Sequence, residues 1–105
     1  MKSRLRADLR VALREARVAE VKVFRALITA IDDAEAPPFK GGSGLVDGAA
    51  ERSYRPLGEG DVRRVLLSDI LERERAAVEF ETVGRADLAE ALRLEALVVK
   101  RYLEP

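Results

Sequence analysis

Apolar residues recur at steps of three and four through most of the chain, and the face they define changes from one segment to the next. In "SRLRADLRVALREA" the positions Leu5, Leu9, Ala12, Leu13 and Ala16 share one side of a helix. In "AEVKVFRALITAIDDAE" the stripe is Val21, Phe24, Leu27, Ile28 and Ile31, rotated by roughly 80° from the first at 100° per residue. One straight helix cannot bury both faces, so the pattern predicts a bend or break near Arg17 to Ala19, although neither Gly nor Pro marks it. A third stripe runs Val62, Leu66, Ile70, Arg73, Ala77 and Phe80, alternating four and three as in a long helix lying along a neighbour. From Glu59 to Val83 that helix spans roughly 37 Å at the α-helical rise. The last stripe, Leu88, Leu92, Val99 and Leu103 with Ala91, Val98 and Tyr102 beside it, predicts a fourth helix folding back antiparallel on the third.

Punctuation between the stripes supports these boundaries. Gly58 suits the N-cap of the third helix, with Glu59 and Asp61 in its first turn and Leu57 and Val62 spaced as a hydrophobic staple. Gly84 suits the left-handed position beyond that helix's C-terminus. Arg85 brings positive charge to the carbonyl end, and Asp87 with Glu90 has the spacing of a capping box for the fourth helix. Residues 37–56, "PPFKGGSGLVDGAAERSYRP", read as a flexible loop with Phe39, Leu45, Val46 and Tyr54 as local anchors. The expected fold is therefore all-α: one domain over residues 1–105, a small helical bundle with a long antiparallel C-terminal helical hairpin.

Composition narrows the chemistry. The chain has no histidine and no cysteine, which removes imidazole acid–base catalysis, thiol nucleophiles, disulfides and the usual zinc ligands. Ser3, Ser43, Ser53 and Ser68 therefore lack a histidine base. The Gly-rich "FKGGSGLVDG" lacks the order of a phosphate-binding P-loop. Asp32, Asp33 and Glu35 cluster at the end of the second helix, but a magnesium site needs further oxygen ligands that the sequence does not show. No cofactor, metal or catalytic residue is expected. No run approaches the length needed to span a bilayer, and no apolar leader opens the chain, so the reading is of a cytoplasmic protein without a membrane partner.

Charge changes the picture more. The net is zero, yet residues 1–30 carry +5, residues 31–58 −2 and residues 59–105 −3. Arg6, Arg10, Arg14 and Arg17 follow one another at steps of four, four and three, roughly 115° from the centre of the first apolar face. No acid stands three or four positions from the first three, so the helix does not neutralise them. Weak RNA contact through phosphates is one expectation for this stripe, and a face that is simply solvated or paired with the acidic half of the chain is the other. Arg73 interrupts an apolar stripe and needs an acid, with Glu95 or Glu35 as candidates and Arg25 as a neighbour.

The C-terminal stretch "EFETVGRADLAEALRLEALVVKRYLEP" also resembles the YqeY-like (GatB/YqeY) family. The matching residues are Phe80, Gly84, Arg85, Asp87, Leu88, Ala89, Glu95, Tyr102 and Leu103, with Arg73 and Arg25 at further motif positions. The likeness covers residues 3–35 and 57–105. It implies a small all-helical fold and kinship with the C-terminal region of GatB, a subunit of the tRNA-dependent amidotransferase. The family's "YLP" reads "YLEP" here, and the smaller C-terminal tail domain, the part associated with tRNA in GatB, does not follow. The resemblance implies a non-catalytic accessory or adaptor with tRNA or amidotransferase components as partners. Two alternatives stand beside it: a subunit contributing to glutamine-dependent amidation (a carbon–nitrogen ligase with glutamine as amido donor) only within a complex, and a protein–protein interaction module with no RNA link.

Overall fold

The computed structural model describes residues 1–36 and 57–104. Four α-helices occupy them: α1 (Lys2–Arg14), α2 (Val18–Glu35), α3 (Glu59–Thr82) and α4 (Ala86–Lys100), with a terminal 3-10 turn at Arg101–Leu103. Helix α1 pairs with α2 and α3 pairs with α4, while α2 touches both members of the second pair. The result is the expected all-α bundle with a long C-terminal hairpin. The loop expected at 37–56, with its four apolar anchors, lies outside the described residues.

The break between α1 and α2 falls at Glu15–Arg17, about two residues earlier than the rotated stripes suggest. Ala16 takes the left-handed conformation, φ 55°. Its amide donates to the Leu13 carbonyl at 3.3 Å, and the Arg17 amide reaches back to the Ala12 carbonyl at 2.9 Å. This is the paired hydrogen-bond pattern of a Schellman end, normally built on glycine because a Cβ is disfavoured at positive φ.

The corner between α3 and α4 repeats that motif with the expected residue. Gly84 sits at φ 80°, its amide bonds the Glu81 carbonyl at 3.1 Å, and the Arg85 amide bonds the Phe80 carbonyl at 2.8 Å. Asp87 does not cap α4. The N-cap is Arg85, with no side-chain cap, because the Schellman turn brings the chain into helical geometry at Ala86, one residue before Asp87. At the start of α3 Gly58 is the N-cap as expected, and its amide donates to the Asp61 carboxylate at 3.3 Å.

The core joins Leu5 and Ala12 of α1, Val23, Phe24, Leu27 and Ile31 of α2, Leu66 and Ile70 of α3, and Ala96, Val99 and Tyr102 from the C-terminal end. Val23, absent from the expected stripe, is fully buried, whereas Ala91 is exposed. Ala77 and Ala89 are also fully buried but stand apart from this cluster. Phe80, Leu88 and Leu92 are half-buried in the same part of the hairpin.

Candidate functional site

Arg6, Arg10 and Arg14 lie exposed on α1. Among the described residues none of the three has a carboxylate within ion-pair distance. Steps of four place the guanidinium stems about 6 Å apart along the helix axis. Arg17 does not extend this row. It follows the Ala16 turn and pairs with Glu15 at 2.7 Å and Glu20 at 3.6 Å, so the continuous basic surface is three arginines, not four.

A different α1 cation crosses to its neighbour. The Lys2 ammonium reaches Glu35 at 2.6 Å and Asp32 at 3.0 Å. Hydrogen bonds to Glu35 and then to Asp32 raise its pKa above the ordinary lysine value. The acidic end of α2 is thus spent on an intramolecular contact, which places Glu35 with Lys2 and not with Arg73. No group of His, Cys, Asp or Glu suited to holding a metal occurs among the described residues.

Arg73 meets Glu95, as its position in an apolar stripe requires. Its Nη1 lies 2.6 Å from the Glu95 carboxylate and its Nε 2.7 Å from Asp69, with all three side chains less than one-fifth exposed. Asp69 stands four residues before Arg73 on α3, an orientation favourable to a helical ion pair, and that spacing was available in the sequence. Arg25 is exposed on α2 and shares no ion pair with this group among the described residues. Further along the hairpin Arg93 bridges Glu81 at 2.7 Å and Lys100 bridges Glu74 at 2.9 Å. Arg85 and Asp87 pair at 3.3 Å in solvent; the Arg85 guanidinium holds the Asp87 carboxyl below its usual range.

Tyr102 closes the other end. Buried between helices, its ring meets Phe24 edge-on at 6.0 Å, the Arg4 guanidinium lies over it at 4.3 Å, and its hydroxyl donates to Asp8. Burial first, then the bond to Asp8, pushes the phenol well above its ordinary pKa. A cavity of about 180 Å³ borders this contact, lined among others by Arg4, Asp8, Arg17, Glu20 and Arg101. Arg17 and Arg101 both face Glu20, while Arg4 lies over the Tyr102 ring. Asp8 and Tyr102 are 94 residues apart in sequence, and no local pattern signals their pairing.

The motif positions Arg73, Phe80, Gly84, Arg85, Asp87, Glu95 and Tyr102 therefore do not converge on one cleft. They run along the hairpin, from its terminal turn to its corner, and build it. A family model described as Yqey-like protein matches residues 2–105. The chain belongs to the YqeY-like family. The match spans the middle segment as well as the two stretches in which the likeness is readable by eye. No curated protein and no solved structure matches the chain. In this YqeY-like protein Gly84 makes a helix end and Arg73 with Glu95 makes a cross-helix ion pair. No helix of the described residues is long and apolar enough to cross a membrane.

Proposed function

We propose that this YqeY-like protein is a non-catalytic accessory whose α1 surface associates weakly with RNA. One observation carries the reading: Arg6, Arg10 and Arg14 form an exposed row with no carboxylate partner among the described residues. Like charges at that spacing cost a few tenths of a kcal/mol per pair in an isolated helix, and a phosphate backbone relieves that cost. With no tryptophan and five Phe plus Tyr in the chain, base stacking adds little, so the contact is electrostatic and independent of sequence. The link to tRNA and its amidotransferase rests on the family resemblance alone.

The test is an anisotropy titration of labelled total tRNA at several salt concentrations, beside an Arg6/Arg10/Arg14→Ala variant. Three phosphate contacts give a log–log salt slope of about −2 to −3 and roughly a thirtyfold loss of affinity between 50 and 200 mM salt. A variant that binds with the same affinity and slope as the parent would refute the reading.

A further inference from the structure

The outer side of α3, turned away from α2, carries Leu67, Leu71 and Val78, which are 42%, 60% and 54% exposed. With Arg64, Glu74 and Glu81 these residues form a seam at alternating steps of three and four: Arg64, Leu67, Leu71, Glu74, Val78, Glu81. That is the spacing of a helix that packs along another helix; α4 reaches only its edge, through the Glu74 and Glu81 ion pairs, and among the described residues Leu67, Leu71 and Val78 stay exposed. The order of residues in the seam says what fits. Placed antiparallel on itself about a two-fold between residues 72 and 73, the seam sets Leu67 against Val78, Leu71 against Glu74, and Arg64 against Glu81. A parallel arrangement would instead set Arg64 against Arg64, Glu74 against Glu74 and Glu81 against Glu81.

We infer that the outer face of α3 is an antiparallel homodimer interface, occupied by the same face of a second copy of this chain. The charges permit it. The carboxylate of Glu74 is already held by Lys100 at 2.9 Å, so its aliphatic stem can lie against Leu71 of the second copy without stranding a charge. Arg64 and Glu81 have intramolecular partners, Asp61 and Arg93, in exposed pairs. Such pairs contribute little to stability, so turning toward the second copy costs little. Leu97 of α4, 54% exposed, stands next to the Lys100 and Arg93 side of the hairpin and widens the apolar floor. Two-fold pairing buries each patch against its copy and closes the assembly at two chains.

The full chain has no cysteine, which makes register testable by cross-linking. Leu67→Cys/Val78→Cys should oxidise to a disulfide-linked dimer, because antiparallel pairing brings position 67 of one chain to position 78 of the other. Either cysteine alone should not, since like positions are then about 16 Å apart along the axis, beyond disulfide reach. Sedimentation velocity on the unmodified protein should show a dimer that grows with concentration. Leu71→Lys, at a position that solvent reaches in the single chain, should leave a folded monomer by circular dichroism. A parent that stays monomeric to about millimolar concentration, the weak end of measurable association, overturns the inference. So does a double-cysteine chain that fails to cross-link, or single-cysteine chains that cross-link as well as the double.

Discussion

Arg73→Met should destabilise the protein by about 2–3 kcal/mol, and the size of the loss follows from what the guanidinium leaves behind. Its side chain is 13% exposed, that of Glu95 12% and that of Asp69 19%. Breaking a buried ion pair by removing one partner costs about 3–5 kcal/mol, because the remaining charge is uncompensated. Here two carboxylates are left, but each retains some contact with water, and the methionine recovers part of the packing of the arginine stem. Those two corrections bring the expected loss to the lower figure. Replacing both members of the α3–α4 contact, Arg73→Met/Glu95→Leu, removes the stranded charge between the helices and leaves only Asp69, the most exposed of the three at 19%, so it should recover at least about half of that loss. Urea unfolding followed by far-ultraviolet circular dichroism reads both variants. With a slope of about 1–3 kcal/mol per molar, the single substitution lowers the midpoint by roughly 1–2 M. If Arg73→Met leaves the midpoint unchanged, or if the double variant falls as far as the single one, the contact is not structural and Arg73 must be retained for a partner.

Two further outcomes follow from local geometry. Ala16 occupies at φ 55° the position that Gly84 fills at the other helix end, so Ala16→Gly should stabilise by about 0.5–1 kcal/mol and raise Tm by a few degrees, whereas Gly84→Ala should cost a similar amount. A fall in Tm for Ala16→Gly would mean that the turn is held by something other than its backbone strain. The second concerns pH. The Tyr102 phenol is raised above its unfolded value near 10, so its contribution is intact below that pH and is lost as pH rises toward the folded value. Above pH 10 the slope approaches about 1.4 kcal/mol per unit from this group. Tyr102→Phe should remove that component, and in a Tyr54→Phe background the tyrosinate absorbance should appear only with alkaline unfolding. Ionisation at the ordinary pKa in the folded protein would contradict the buried contact with Asp8.

Features governed by local periodicity and by glycine were readable in the sequence. The extent of α3, the Gly58 and Gly84 ends, the antiparallel return of α4 and the need of Arg73 for Glu95 all follow from spacing and from the cost of an unpaired guanidinium. What escaped reading depended on tertiary choice. The α1 end is a glycine-type turn made with alanine, so no residue announced it, and the rotated stripes could place the break only to within two residues. Asp87 had the right type and spacing for a cap, but the Schellman turn preceding it started α4 earlier. Glu35 was an equally plausible partner for Arg73 until the fold brought Lys2 to it. Tyr102 finds Asp8 across nearly the whole chain, a pairing that only the packed bundle creates.

On the α3–α4 hairpin Arg73, Arg85, Arg93 and Lys100 each face a carboxylate, and the pairs of Arg73, Arg93 and Lys100 join the two helices. The N-terminal excess of positive charge behaves differently. Lys2 crosses to the acids of α2 and Arg4 lies over Tyr102, yet Arg6, Arg10 and Arg14 lie exposed and meet no acid among the described residues. Among the described residues, no acid from the chain's own acidic half stands against these three arginines. A row of cations without acid partners among the described residues is open to salt and to anionic partners in a way that the paired hairpin is not. Substitutions of Arg6, Arg10 and Arg14 should therefore alter binding with little change in stability, whereas substitutions of Arg73 or Glu95 should act on stability first.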